Sequence, residues 1–172
     1  MPRRLLRDGR IVVDDWSYLA EAQGNAAAPL ILTLAEWQKD RDVWIARGGR
    51  LGVVLAPAHS VGVLVPDLEY FELIGAEFSG PSEGRGYSQA RLLRERLGFR
   101  GELRAVGDGV RQDRLFLLAR CGFDAFELAP GENPEAARRA LARYDVAYQP
   151  GSSLLEMRRQ RFHRGGSSST LR

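Results

Sequence analysis

Short apolar runs alternate along the chain with segments of helical character, and this alternation restricts the fold more than any other feature. Runs of strand character begin near residues 30, 51, 73, 102, 125 and 146. Apolar strands that are separated by helices pair in parallel and are covered on both faces. The pattern therefore predicts an α/β protein of repeated βα units with a mostly parallel sheet. Six units are too few for the usual eight-stranded barrel of about 250 residues, so we expect an open or truncated-barrel-like sheet.

Capping and glycine signals mark the expected helices. Thr33 and Glu36 have the spacing of a capping box, which predicts a helix over 34–47 that ends at the Gly48-Gly49 pair. Two further helices are expected over 88–97 and 110–121, and each is followed by a Gly-Phe pair, at an interval of 24 residues from one glycine to the other. Asn133 and Pro134 favour the start of another helix, reaching about Tyr144.

The chain divides into three parts by composition. Residues 1–29 predict an N-terminal strand and loop, residues 30–150 a single α/β domain, and residues 151–172 a basic C-terminal tail that we expect to be disordered. Within the domain, 58–72 is ambiguous, and we interpret it as a crossover with a helix at its end. The first residues have no long apolar core behind their charges, which indicates no secretory signal and favours the cytoplasm. No apolar run is long enough to span a membrane.

The charge distribution argues against a nucleic-acid function. The formal net charge is +3 at pH 7, but residues 157–172 contain five arginines and no acid. Without those five, 20 bases stand against 22 acids. The folded part is thus slightly acidic, and a nucleic-acid partner is disfavoured.

The scarcity of cysteine and histidine restricts the chemistry. With one cysteine, Cys121, the chain can form no internal disulfide and cannot hold an iron–sulfur cluster through several thiolates of its own. With two histidines, His59 and His163, we expect no dedicated transition-metal site. Cys121 follows a predicted helix, where the dipole disfavours a thiolate, and is interpreted as a core residue.

The best anion-binding candidate is the loop and helix start that contain Gly84, Arg85 and Gly86. Glycines let backbone amides turn outward, the helix start offers free N–H groups, and an arginine adds a fork of donors. Ser88 could cap the helix or donate to an anion. A phosphate, sulfate, sulfite or carboxylate group would suit this pattern. The other interpretation is a tight βα turn whose arginine pairs with Glu83 or Asp108, and on residues alone the two are even.

Three more polar residues belong to the candidate site. Asp108, at the end of the next strand, could be a general base, a ribose or cation ligand, or the partner of Arg85, but helix capping before Val110 explains it slightly better. Tyr87 and Gln89 could complete a polar pocket, and Gln89 could equally be a solvated helix residue. The motif is neither a Walker A loop nor a dinucleotide fingerprint, so the residues identify no cofactor and no reaction.

Three stretches carry a family resemblance. They are residues 83–94 (EGRGYSQARLLR), 101–108 (GELRAVGD) and 118–126 (LARCGFDAF). The chain resembles the bacterial domain-of-unknown-function (DUF) family 934, closely over 78–128 and more weakly from Leu30 to Tyr148. The sequence differs from the family pattern just before Gly84, where Phe-Pro-x-Phe-x-Asp is replaced by residues 78–83 (FSGPSE). It differs again after Asp108, in a segment one residue longer with Arg114 in place of a glutamine.

The resemblance implies a role in assimilatory sulfite reduction, because members of the family are commonly described as oxidoreductases of that process. Reduction of sulfite to sulfide is a multi-electron reaction that requires metal or flavin cofactors. A chain with one cysteine and no nucleotide fingerprint is therefore expected to act beside a sulfite reductase, binding an oxyanion or a phosphate-bearing ligand. The alternative is a non-enzymatic module that docks on the reductase through helices 88–97 and 110–121.

Overall fold

A computed structural model describes residues 4–22, 28–80 and 84–148. The expected tail (151–172), His163 and Glu83 lie outside the described residues. Eight strands form one mostly parallel sheet, which curls into a half-barrel with helices on its outer face. The α/β class with a truncated-barrel-like sheet is thus confirmed. No helix of the described part is long and apolar enough to cross a membrane.

The strands follow one another around the sheet in nearly sequential order. Their order is β2-β1-β8-β7-β6-β5-β4-β3, with β3 to β8 parallel and the β1–β2 hairpin added antiparallel to β8. The bounds are β1 (Arg4–Arg7), β2 (Arg10–Val13), β3 (Ser17–Tyr18), β4 (Leu30–Thr33), β5 (Leu51–Leu55), β6 (Phe71–Glu77), β7 (Glu102–Val106) and β8 (Ala125–Phe126). Five of the six expected strands are present. The sixth is wrong, because 146–148 belong to the last helix.

Helices connect the parallel strands on the outer face. They are α1 (Leu34–Lys39), α2 (Arg41–Arg47), α3 (Arg85–Arg91), α4 (Leu115–Cys121) and α5 (Pro134–Tyr148), with 3₁₀ turns at Leu19–Glu21, Val61–Tyr70 and Gln112–Arg114 and a π-helical turn at Leu92–Arg96. The capping box of Thr33 and Glu36 is confirmed at α1. The single helix expected over 34–47 is wrong, because the backbone leaves the helical region at Asp40, with φ −126° and ψ 34°.

The ambiguous segment 58–72 contains a long 3₁₀ helix rather than a crossover ending in an α-helix. Its buried residues are Val61, Leu64 and Asp67. A spacing of three residues is the period of a 3₁₀ helix, so one edge of the segment faces the core. Asp67 accepts hydrogen bonds from the Trp37 indole (2.8 Å) and from Arg41 Nε (2.9 Å). The Arg41 hydrogen bond holds the pKa of Asp67 below its ordinary value.

The helical run after β6 begins earlier and is less regular than expected. It starts at Arg85 rather than at residue 88, and it passes into the π-helical turn before ending at Gly98, which has φ +65°. Arg94 does not face the solvent, because its side chain is only 12% exposed. Its guanidinium donates to the carbonyls of Phe99, Gly101 and Gly122 and to the carboxylate of Asp124. The arginine therefore ties the end of this helix to the end of α4.

Side chains from the segment between β2 and β3 fill the inner face of the half-barrel. The side chains of Arg104, in β7, and of Asp14 are both fully buried, and both terminal nitrogens of the guanidinium donate to the carboxylate, at 2.7 and 3.0 Å. Trp16 packs against Ile31 and Leu73 of the inner face. This crossing segment thus forms the inner layer of the protein.

One hydrogen bond shows how strongly the sheet curls. The Tyr18 hydroxyl donates to Glu127 Oε2 at 3.1 Å. Tyr18 ends β3 and Glu127 follows β8, five positions apart in the sheet order. At about 4.8 Å per strand the separation along the sheet is roughly 24 Å. The two side chains can meet only because the sheet bends back over its own inner face.

The buried ion pair predicts unequal effects at two adjacent aspartates. Asp14→Ala leaves the buried Arg104 without its bidentate partner and should lower the free energy of unfolding by about 3–5 kcal/mol. Asp15→Ala is the control, since Asp15 is 48% exposed in its pairs with Arg7 and Arg50 and should cost less than about 1 kcal/mol. Urea denaturation measures both. Equal losses at the two positions would contradict the assignment of Arg104 and Asp14 as the inner ion pair.

Candidate functional site

The candidate residues lie at the carboxyl edge of the sheet. Three segments meet there, formed by 78–80 after β6, 107–111 after β7 and 127–133 after β8, and α3 begins beside them after Gly84. Ligands of parallel α/β folds bind at this edge, because the βα loops and the first turns of the helices face the same side. The sequence prediction that the stretch around Gly84 and the stretch around Asp108 follow neighbouring strands is confirmed.

Phe78, the residue that follows β6, joins the first two loops. Its amide donates to the Val106 carbonyl, and its own carbonyl accepts from Gly109, both at 2.8 Å. Its ring is fully buried and makes edge contacts with the rings of Tyr87 (centroids 5.2 Å apart) and Phe123 (5.7 Å). Phe78 therefore fixes where α3 begins and where the turn after β7 passes.

The two glycines of the Gly84-Arg85-Gly86 motif have different roles. Gly86 is buried, and a Cβ at this position would overlap the Phe78 ring. Gly84 is exposed, and a Cβ there would meet nothing within 4 Å. Its backbone, at φ −111° and ψ −12°, suits any residue. The motif thus needs a glycine at 86 because α3 packs closely on Phe78. The sequence analysis explained this glycine instead by an outward turn of the backbone amides.

Arg85 and Ser88 are the exposed polar residues at the start of α3. Arg85 is the first residue of the helix and Gly84 its N-cap, without a capping side chain. Ser88 lies inside the helix, so the expectation that it caps is wrong, and its donation to an anion stays a prediction. Residues three apart on a helix share a face. Arg85 and Ser88 therefore present a guanidinium and a hydroxyl on one side of the first turn.

Tyr87 is half-buried between Phe78 and Arg114. Burial raises the pKa of the Tyr87 phenol, while the charge and the hydrogen bond of Arg114 act in the opposite direction. The phenol is therefore a neutral hydroxyl at physiological pH, with its ring in the core and its oxygen beside a guanidinium. Sequence reasoning noted Arg114 only as a departure from the family pattern. Its proximity to Tyr87 could not be seen locally, since 27 residues separate them.

Gln89 is a buried connector rather than a solvated helix residue. It is 5% exposed, and its Nε2 donates to the carbonyls of Ala56 (3.1 Å) and His59 (2.9 Å) in the turn after β5. Within the described residues, its Oε1 is buried and has no hydrogen-bond partner. Gln89 thus holds α3 against the turn that follows β5, the strand beside β6 in the sheet.

His59 is a site neighbour that the sequence did not indicate. Its Nδ1 accepts a hydrogen bond from the Ala56 amide at 3.1 Å, and its own amide donates to the Ala56 carbonyl at 3.0 Å. This reciprocal pair places the ring proton of the neutral histidine on Nε2. The side chain is half-buried, and His59 belongs to the turn to which Gln89 donates its hydrogen bonds.

Asp108 lies exposed in a turn that the glycines on either side shape. A Cβ at Gly107, which has φ +99°, or at Gly109 would press on the Phe78 backbone. The capping role expected of Asp108 is wrong, because the helical segment starts at Gln112, whose amide donates to Glu132 Oε2 at 2.8 Å. Within the described residues Asp108 makes no hydrogen bond or ion pair, so the pairing with Arg85 is not observed. Pairing of Arg85 with Glu83 falls outside the described residues.

The site thus combines an exposed arginine and serine, a half-buried tyrosine and an exposed aspartate around Phe78. Donors outnumber acceptors, which suits an anionic group. No group of three or more histidine, cysteine, aspartate or glutamate side chains in the described part could hold a metal ion. Cys121 is buried, in agreement with its interpretation as a core residue.

The two glycines allow a matched test of the packing account. Gly86→Ala should lower the free energy of unfolding by about 1–3 kcal/mol, because the new methyl group displaces the Phe78 ring. Gly84→Ala should change it by less than about 0.5 kcal/mol, since the position is open and exposed. Chemical denaturation measures both variants. A greater loss at Gly84 than at Gly86 would show that the motif is not built around Phe78.

Comparison with known proteins places this site in a family. The model of the family described as "Bacterial protein of unknown function (DUF934)" matches residues 52–155, from β5 past the end of α5. The matched part contains Phe78, the Gly84–Gln89 stretch and Asp108. No curated protein matches the chain. The match covers more than half of the sequence, and the chain therefore belongs to the DUF934 family.

Proposed function

We propose that this protein is an accessory or oxidoreductase-type protein of assimilatory sulfite reduction and binds an oxyanion or a phosphate-bearing ligand at the start of α3. The observation that supports the ligand most directly is the position of Arg85. It is exposed in the first turn of a helix that begins at the carboxyl edge of a parallel sheet. Guanidinium groups bind sulfur and phosphorus oxyanions through two parallel hydrogen bonds.

The surroundings of Arg85 favour a ligand that carries a hydroxyl as well as a negative charge. Ser88 adds a hydroxyl on the same helical face. Asp108, in the neighbouring turn, is a carboxylate that would repel a fully ionised oxyanion but accept a hydrogen bond from a hydroxyl. Hydrogensulfite, hydrogenphosphate and a phosphorylated sugar fit this combination, and sulfate fits it less well.

The pathway half of the proposal derives from the family resemblance. Members of the family that this chain resembles are commonly described as oxidoreductases of sulfite reduction. The sequence contains a single cysteine, which argues against a cluster held by the chain's own thiolates. The proposed role of the protein is therefore to bind sulfite or a phosphate-bearing cofactor beside the reductase, rather than to reduce sulfite alone.

A second candidate function is a non-enzymatic module that docks on the sulfite reductase. Leu117 of α4 is 50% exposed, and Arg120 lies one turn further along the same helix. Arginine is enriched in protein-binding surfaces, and an exposed leucine beside it adds apolar area that a partner could bury. Copurification with the reductase that Arg85→Ala leaves unchanged would favour this candidate.

The ligand is tested by thermal denaturation with sulfite, sulfate, phosphate and flavin mononucleotide. A ligand at 100 times its Kd stabilises the fold by about 2.7 kcal/mol, which corresponds to a rise in Tm of roughly 5–10 °C for a chain of this size. Arg85→Ala should abolish the rise. Arg91→Ala, an exposed arginine near the other end of α3, should retain it. If no compound of the panel raises the Tm, the anion site is refuted.

The pathway is tested separately by growth of a deletion strain. Loss of the gene should slow growth on sulfate or sulfite as the sulfur source and leave growth on cysteine unchanged. The gene for Arg85→Ala should fail to restore growth on sulfate if the ligand site serves the pathway. Equal growth of the deletion strain on sulfate and on cysteine would refute a role in sulfite reduction, whatever the ligand result.

A further inference from the structure

The turn that follows β5 holds His59 in a defined position. The His59 amide donates to the Ala56 carbonyl at 3.0 Å, which closes a four-residue β-turn over 56–59. Pro57 occupies the second position of this turn, where the fixed φ of proline, about −65°, suits the geometry. A local sequence signal therefore shapes this loop at the carboxyl end of β5.

The imidazole of His59 is folded back onto its own turn. Its Nδ1 accepts a hydrogen bond from the Ala56 amide at 3.1 Å, so the proton of the neutral ring is on Nε2. The side chain is half-buried. Within the residues that the structure describes, Nε2 has no hydrogen-bond partner and is open to solvent. The ring thus presents an uncharged N–H donor at the carboxyl edge of the sheet.

Gln89 holds this turn against α3 and leaves one buried acceptor between them. Its Nε2 donates to the carbonyls of Ala56 (3.1 Å) and His59 (2.9 Å). Both partners are acceptors, so the amide must turn its NH₂ group toward them. Its Oε1 is then buried, without a partner in the described part of the chain. Buried acceptors are almost always paired, so this atom marks a place where a donor, such as the hydroxyl of a protonated oxyanion, belongs.

The turn lies directly beside the segment that leads into the candidate site. Leu55, the last residue of β5, pairs with Ala76 of β6, so the turn over 56–59 is level with the end of β6. Neighbouring strands are about 4.8 Å apart. Arg85 precedes Gln89 by four residues, or about 6 Å along the helix axis. Because the turn is hydrogen-bonded to Gln89, the guanidinium and the imidazole start from points about one helical turn apart.

We propose that His59 is a second donor of the ligand site, whose Nε2–H binds an oxygen of the anionic group that Arg85 binds, and that Gln89 is the positioning residue of this imidazole. The proposal rests on the proposed ligand at the start of α3 and narrows its chemistry. A guanidinium takes two oxygens in parallel, so a further donor favours a group with a third oxygen. Sulfite and phosphate groups have one, and a carboxylate does not.

Proton–nitrogen NMR of the imidazoles in the full chain tests the proposal, with His163, the other of the two histidines, as an internal reference. At about pH 8, where an unperturbed imidazole is neutral, His59 of the free protein should be the Nε2–H tautomer. Titration with sulfite, and separately with phosphate, should move its Nε2 signal with the same Kd as the amides of Gly84 to Ser88. His163 should stay in place, and acetate should not move His59.

Matched variants separate binding from positioning. His59→Ala should weaken phosphate binding about 10-fold or more, as for a lost hydrogen bond to a charged group, and His59→Gln, which keeps an N–H donor, should recover part of the loss. Gln89→Glu keeps the size of the side chain but cannot donate to the two carbonyls, so His59 should become a mixture of tautomers and the affinity should fall. His163→Ala is the control and should bind phosphate as the wild type does.

The outcomes distinguish a failure of this inference from a failure of the ligand site. If the amides of Gly84 to Ser88 shift and saturate while His59 does not move, the ligand site stands and the role of His59 is overturned. An Nδ1–H tautomer in the free protein, or unchanged affinity in His59→Ala with wild-type near-ultraviolet circular dichroism, overturns it as well. If neither His59 nor these amides respond to any anion, or if His163 alone responds, both the inference and the proposed ligand site fail.

Discussion

The packing of Phe78 at the end of β6 is the contact on which the candidate site depends. Its ring packs against Gly86 and makes edge contacts with the rings of Tyr87 and Phe123. Its backbone is hydrogen-bonded to Val106 and Gly109. One residue thereby sets the start of α3 and the path of the turn that carries Asp108. The buried ring makes the arrangement rigid, because interiors are close-packed and the loops cannot shift without opening a void.

This packing changes the meaning of the glycine-containing motif. Glycines before a helix suggest a cradle for phosphate, but here Gly86, Gly107 and Gly109 are needed because neighbouring atoms lie where a Cβ would be. The groups that could contact a ligand are thus the side chains that these glycines place at the edge of the sheet. Arg85 and Ser88 present donors, Asp108 an acceptor, and Tyr87 a neutral hydroxyl beside Arg114.

Local signals predicted local structure well. The capping box at Thr33, the glycine ends at Gly98 and Gly122 and the Asn133 cap are all present, since each depends on residues within one helical turn. The strand expected at 146 was wrong because a short apolar run suits either structure, and α5 packs on β1, β2 and α4. The start of α3 was misplaced because Gly84 caps it without a side chain.

Roles that depend on distant partners could not be predicted from the sequence. The sequence left Gln89 either a pocket residue or a solvated helix residue, because the carbonyls it binds are 30 and 33 residues away. Arg94 is buried by partners in the next βα unit that are 28 and 30 residues away. Arg104 lies in a strand and pairs with Asp14 across 90 residues. In each case tertiary contacts decide burial, and periodicity alone could not identify them.

The most direct measurement of the central claim is a titration of the isotope-labelled protein with sulfite and with phosphate, followed through backbone amide NMR signals. If the residues positioned by Phe78 form a ligand site, the amides of Gly84 to Ser88 and of 107–109 should shift together and saturate with one binding constant. Signals at the amino edge, such as those of Leu51 and Glu102, which begin β5 and β7, should stay unchanged. Shifts that do not saturate, or that concentrate away from these two loops, would contradict the account.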